Sequence, residues 1–156
     1  MARISGFPRI DYRALADFRY RLRQFLRVRE VAARAAGIEP QQYLLLLQIK
    51  GQNGRGPMTI SALAERLQIS HHAVVQLVDR LAERDMVRRR PGPRSGREVI
   101  VGLRPRGEAI LRRLALASIE EFRTEAPVLV SSLRRLVSVS KPARGPFRGS
   151  RKGSTS

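Results

Sequence analysis

The stretch SHHAVVQLVDRLAERDMVRRR, Ser70 to Arg90, holds both histidines of the chain, side by side at His71 and His72. Consecutive helical residues point about 100° apart, whereas two ligands of one metal sit three or four residues apart on a helix. Two adjacent histidines therefore cannot clamp an ion alone, and the chain has no cysteine or further histidine to complete a site. A serine nucleophile needs a poised base and an orienting acid, and no G-x-S-x-G elbow occurs. No catalytic residue, metal or cofactor is expected, and the chain does not read as an enzyme. What remains for the histidines is a partner outside the protein.

Val74, Leu77, Val78 and Leu81 recur at i, i+3, i+4, i+7 and mark the buried face of a helix. His72, Gln76, Asp79 and Glu83 then lie opposite, with Val75 and Arg80 flanking. The end presented to solvent carries Ser70, His72, Ala73 and Gln76, while His71 sits nearer the packed face, where supporting the first turn and touching a partner are equally open to it. Gln pairs bidentately with adenine, His bonds a base edge, and Ala or Val meets a thymine methyl. Arg80 suits a phosphate.

The elements that must hold this end follow from the pattern on either side. From Asp11 to about Ala36 no glycine or proline interrupts, and Leu15, Phe18, Leu22, Phe25 and Leu26 fall at helical spacing, so a long amphipathic helix ends at Gly37. A second helix, about Pro40 to Lys50, contains YLLLLQIK and is apolar nearly all round, which places it in the centre of a core. Thr59 caps a third helix with Ile60, Leu63, Ala64 and Leu67 on one face. After the short Gln68–Ile69 link Ser70 caps the next, and two short capped helices so joined form a helix-turn-helix. MVRRR and EVIVGLR, separated by PGPRSG, predict a hairpin with basic edges. Pro105 opens a further helix, and Pro127 starts or kinks a final one ending near Val137. The fold class is mostly α with a small β-hairpin wing.

The formal charge of +18, from 31 basic against 13 acidic residues, implies an anionic partner: nucleic acid, an acidic protein or a membrane surface. Nucleic acid suits a small domain best, and lysine appears only at Lys50, Lys141 and Lys152, leaving arginine to meet phosphate and guanine. The absence of cysteine excludes disulfides and thiol chemistry. The opening MARISGFPRIDYRALADFRYR lacks the apolar core of a signal peptide, and YLLLLQI is too short to span a bilayer, so a cytoplasmic location is expected. From Ser138 the composition turns to glycine, serine and proline with five basic residues and no acid, which reads as a disordered basic tail.

In order and content these elements resemble the MarR family of winged helix-turn-helix transcriptional regulators. The resemblance rests on MTISALAERLQISHHAVVQLVDRLAERDMVRRR, the following RSGREVIVGLRPRGEAIL and the preceding GIEPQQYLLLLQI, and it spans about Asp11 to Val137. It implies a homodimer whose terminal helices interlock and whose two modules read a pseudo-palindromic operator on double-stranded DNA, more often as a repressor than as an activator. Ser70, His71, His72, Ala73, Val75, Gln76 and Arg80 match the family's recognition helix. The wing would place Arg94 or Arg97 at the minor groove, with Arg88, Arg89 and Arg90 on the flanking backbone. Three departures stand out. Ser95 replaces the usual wing aspartate, Asp85 replaces the glycine that commonly ends the recognition helix, and Ala73 and Val75 stand where hydroxyls are frequent.

Relatives often respond to small aromatic acids, and the corresponding ligand-binding set here would be Tyr12, Phe18, Arg19 and Tyr43. The implied organisation is an N-terminal dimerisation helix (1–38), a winged helix-turn-helix module (39–104), C-terminal dimerisation helices (105–137) and the tail (138–156). The rival reading is a structural nucleic-acid-binding protein, associated with nucleoid or ribosome and indifferent to sequence.

Overall fold

The computed structural model describes residues 10–52 and 54–139. Five helices and one hairpin follow in the order α1 (Tyr12–Ala35), α2 (Pro40–Gly51), α3 (Ile60–Leu67), α4 (His71–Glu83), β1 (Val87–Pro91), β2 (Val99–Leu103) and α5 (Pro105–Val139). The N-caps expected at Thr59 and Ser70 are in place. Their hydroxyls accept from Ala62 N and Ala73 N, both at 3.1 Å, and the Asp11 carboxylate accepts from Ala14 N at 2.9 Å. Each satisfies an amide that the first helical turn leaves without a partner. On α2 the Gln42 side chain reaches back to accept from Glu39 N at 3.1 Å.

Three helices end the same way. After α1, α3 and α4 the chain turns through a left-handed residue, Gly37 (φ 79°), Gln68 (φ 58°) and Asp85 (φ 59°). The amide of the next residue then bonds back into the last turn: Ile38 to Ala33, Ile69 to Ala64, Met86 to Leu81. This is the Schellman arrangement, with an apolar residue folded back against the helix it closes. Gly37 takes the conformation freely, whereas Gln68 and Asp85 carry the left-handed cost of a side chain. Asp85 gains a partner there, since its Oδ1 is ion-paired with Arg104 Nε at 2.8 Å.

The core lies beneath α4. Val74, Val78 and Leu81 of that helix are fully buried with Leu45 and Leu46 of α2, Leu63 of α3, and Met86, Val87 and Val101 around the hairpin. The strands pair antiparallel from Val87↔Leu103 to Pro91↔Val99. Val101 N also donates to Met58 O at 2.9 Å, which ties the hairpin to the residue ahead of α3. The first turn of α5 is pressed on the same region: a Cβ on Gly107 would lie 2.2 Å from Met86 O, so only glycine fits.

Two sequence expectations need correction. No new helix starts at Pro127, which lies inside the single continuous α5. The missing amide of a proline breaks only one bond of the ladder, and a helix of 35 residues has many others to hold it. The α2 helix is also not buried all round: Leu45 and Leu46 face the core, but Leu44 and Leu47 are exposed. The tail expected from Ser138 onward falls beyond the described residues except for Ser138 and Val139, which end α5.

The long helices α1 and α5 pack along each other. Phe25 and Phe122 meet at 5.1 Å between ring centroids, and the Arg29 guanidinium stacks over both rings while Nη1 donates to Glu125 at 3.4 Å. Nearby, Asp17 Oδ2 accepts from Arg21 Nε at 3.0 Å and from the buried Ser132 hydroxyl at 3.1 Å. The Arg21 hydrogen bond holds the Asp17 carboxyl below the ordinary aspartate value, aided by Ser132 and by the charges of Arg21 and Arg135, against partial desolvation. A lowered folded-state value contributes stability above the unfolded pKa, and that contribution is lost as pH falls through the folded one. Acid titration of unfolding should therefore show part of the α1–α5 stability lost below about pH 3.9. Asp17→Asn should flatten that acid limb, and a limb of unchanged slope would show that the carboxylate contributes nothing there.

Candidate nucleic-acid interface

With its apolar side buried, α4 presents His72 and Gln76 to solvent. One turn apart, they are joined by a hydrogen bond of 3.2 Å between Gln76 Nε2 and His72 Nε2. An amide nitrogen can only donate, so the imidazole Nε2 accepts and the ring proton of the neutral form sits on Nδ1. The bond fixes the Gln76 amide with its carbonyl and one N–H free. Those are the two groups that a bidentate contact to adenine uses. The pair lies at i, i+4, a spacing visible in the sequence.

Ser70 is exposed, with its oxygen engaged as the cap. Ala73 is half-buried, and Val75 packs partly against the core. His71 is exposed at the mouth of a cleft of about 260 Å³ between α4 and the wing, lined also by Val75, Thr59, Arg89, Arg97 and Glu98. Arg80 is exposed on the other flank of α4, beside Gln41 of α2 and Arg34 of α1.

The wing does not depend on an aspartate at its tip. Gly92 N donates to Glu98 O at 2.7 Å and Glu98 N to Ser95 O at 3.1 Å, so the backbone closes the turn that carries Ser95. Arg89 was expected at a DNA phosphate, yet its Nη2 is ion-paired with Asp79 on α4 and donates to Val75 O at 3.4 Å. The pair braces wing against helix and cancels a carboxylate that would otherwise face phosphate. Sequence reasoning missed it because the partners are ten residues apart on different elements. By contrast Arg88, Arg90, Arg94 and Arg97 are exposed and have no ion pair among the described residues.

The residues expected to bind a ligand lie on α1 and α2. Tyr12 and Arg19 stand on the exposed side of α1, Phe18 is half-buried, and Tyr43 packs against the core from α2. The concavity that includes Arg19 includes none of the other three. Among the described residues no group of three or more histidine, cysteine or acidic side chains is placed to hold a metal, and no helix is long and apolar enough to cross a membrane.

Residues 36–98 match the family model described as MarR family. The matched segment contains α2, α3, α4, β1 and the tip of the wing. This segment is similar to a MarR-family module. Over 83–86% of its length the chain also shares its fold with solved structures. AbsC from Streptomyces coelicolor superposes with a TM-score of 0.68 at 21% identity, over 83% of this chain and 88% of that one. The apo form of MarR from E. coli gives 0.62 at 22%, over 86% and 99%. A mutant form of MepR from S. aureus, bound to an oligodeoxyribonucleotide, gives 0.60 at 17%, over 83% and 98%. No curated protein matches the sequence.

Within the matched segment the Asp79–Arg89 brace is open to direct test. Asp79→Asn keeps the shape and removes the charge. Backbone amides of Val87–Pro91 and Val99–Leu103 should then exchange with solvent several-fold faster, while global stability falls by less than about 1 kcal/mol, as for a half-exposed pair. Unchanged exchange would mean that the core contacts alone hold the wing.

Proposed function

We propose that the chain is a dimeric, sequence-specific DNA-binding transcriptional regulator, acting as a repressor in the cytoplasm, with α4 in the major groove and the wing along the minor groove of a pseudo-palindromic operator. The observation that carries this reading is the His72–Gln76 pair on the exposed face of α4, flanked by the unpaired wing arginines Arg88, Arg90, Arg94 and Arg97. An oriented amide reads a base, and the arginines neutralise phosphate or enter a narrow A·T minor groove. Relief by a small aromatic ligand held near Tyr12, Phe18, Arg19 and Tyr43 would complete the reading.

The dimer is supported by apolar surface that one chain leaves uncovered. On α5, Leu116, Ile119, Leu133 and Val137 are 59%, 52%, 43% and 58% exposed and recur on one side of the helix, with Leu15 and Leu26 exposed on α1. A monomer seldom leaves so long an apolar stripe wet. Residues 1–38 and 105–137 would form the dimer body, and 39–104 the reading module.

Fluorescence anisotropy against the DNA upstream of the protein's own gene and against a scrambled duplex, over a range of salt, tests the reading. A preference of about a thousandfold is expected, with a steep salt slope on both duplexes. Gln76→Ala should cost about 1–3 kcal/mol at one base position, and His72→Ala should weaken the same preference without touching the others. Equal loss on every sequence would favour the structural, sequence-indifferent alternative that the charge of +18 also suits. Leu133→Asp should convert a sedimenting dimer to monomer; a monomeric unmodified chain would remove the dimer from the proposal.

A further inference from the structure

The face of α1 turned away from α5 carries a row of arginines. Asp17, Phe25 and Arg29 make the contacts to α5, and at 100° per residue Arg19, Arg23 and Arg27 project to the opposite side of the helix. All three are exposed, as is Arg13 nearly two turns before them, and none has an ion pair or hydrogen bond among the described residues. The acids of α1 are committed elsewhere: Asp11 caps the helix, Asp17 holds Arg21, and Glu30 pairs with Arg34. Arg19–Arg23 and Arg23–Arg27 are like-charge i, i+4 pairs, which destabilise a helix by about 0.2–0.5 kcal/mol each. Among the described residues the row thus repels itself and has no ion pair, the one acid in the same concavity, Glu30, being paired with Arg34. Tyr12 and Tyr20, 72% and 64% exposed, border it and offer hydroxyl donors.

From this row we infer a second polyanion-binding surface, separate from the reading head, that holds the backbone of another segment of double-stranded DNA and so bridges two duplexes. From Arg13 to Arg27 the row extends about 21 Å along the axis at 1.5 Å per residue. That length matches about six base pairs of duplex at 3.4 Å per step. The guanidinium fork is suited to phosphate oxygens, and tyrosine hydroxyls donate to the same atoms. Arginines spaced along one helix face meet the phosphate oxygens of any sequence, so the surface needs no preferred site. Leu26 shares a concavity with the row, but a second copy of the chain fits it less well than DNA, because an interface over the row would desolvate several cations that have no ion pair among the described residues.

The test uses the full chain in a capture assay: protein bound to a random-sequence duplex on beads, then exposed to a second, fluorescent duplex at moderate salt. The unmodified chain should retain the second duplex. The combined variant Arg19→Gln, Arg23→Gln, Arg27→Gln, which keeps helix propensity, should retain about tenfold less, with the salt slope for a single duplex in solution unchanged. A parallel variant with Lys141, Arg144, Arg148, Arg151 and Lys152 all changed to Gln should still bridge. The proposal is overturned by capture that survives the α1 variant, by capture that is lost with the tail charges alone, or by an unmodified chain that captures nothing, which would assign the row to an acidic protein surface or to solvent. It is also overturned if the single-duplex slope falls by about 2.7, three phosphate contacts' worth, because the row would then grip the same duplex as α4. Bridging that depends on Arg19, Arg23 and Arg27 in a chain with no preferred site would leave this inference standing while the sequence-specific reading fails.

Discussion

The burial of one side of α4 is the constraint on which the rest of the structure depends. Val74, Val78 and Leu81 are fully enclosed by α2, α3 and the base of the hairpin, and losing any one of these side chains to a smaller one would cost on the order of 1–4 kcal/mol through transfer and cavity terms. Once that side is fixed, helical geometry leaves no freedom on the other. His72 and Gln76 must face solvent one turn apart, Asp79 must point toward the wing, and Arg80 must lie on the far flank. The same core also places the wing, because Val87 and Val101 of the hairpin are buried in it and Val101 is bonded to Met58. Helix and wing are therefore two exposed edges of one packed body.

The charges are arranged on that body with an asymmetry that packing does not require. Where an arginine has structural work it has a partner: Arg29 lies between two phenylalanine rings and Glu125, Arg84 donates to Gly37 O at 2.8 Å, Arg89 holds Asp79, and Arg104 holds Asp85. Among the described residues Arg88, Arg90, Arg94 and Arg97 of the wing and Arg13, Arg19, Arg23 and Arg27 of α1 have no ion pair. Exposed ion pairs contribute little to folding, so the pairing of the first group matters chiefly for geometry. The unpaired group, by the same reasoning, costs folding little and keeps its field for an external anion.

Much of this was legible in the sequence because the signals were local. Helical periodicity placed α3 and α4, the hydroxyls of Thr59 and Ser70 marked their starts, and PGPRSG between β-branched runs marked the wing. The i, i+4 spacing of His72 and Gln76 was equally local, and their hydrogen bond was within reach of the same reading. The parts that were not legible depend on residues brought together by the fold. The left-handed ends at Gln68 and Asp85 are held by the burial of Ile69 and Met86 beside them, while a sequence pattern expects glycine. The Asp79–Arg89 pair joins two elements whose relative placement only the core decides. Pro127 is tolerated because a helix packed on α1 along its length does not depend on a single bond.

The uncovered apolar surface leads to the last step. A helix as long as α5 cannot be stabilised by the winged module, which reaches only its first turns through Leu111 and Leu114. Beyond them its support within one chain is α1, and α1 covers one side only. The opposite side, from Leu116 to Val137, would leave about 25 cal/mol of unfavourable hydration for each Å² of apolar area in contact with water. A second copy offering the same stripe would remove that area from water and give α1 and α5 a second layer, the minimum from which a stable helical body is built. In such a dimer the two α4 helices would be held at a fixed separation by rigid helices rather than by loops. Fixed separation is what a two-half-site operator demands of its reader, so the length of α5, excessive for a single module, becomes intelligible as the spacer of a pair.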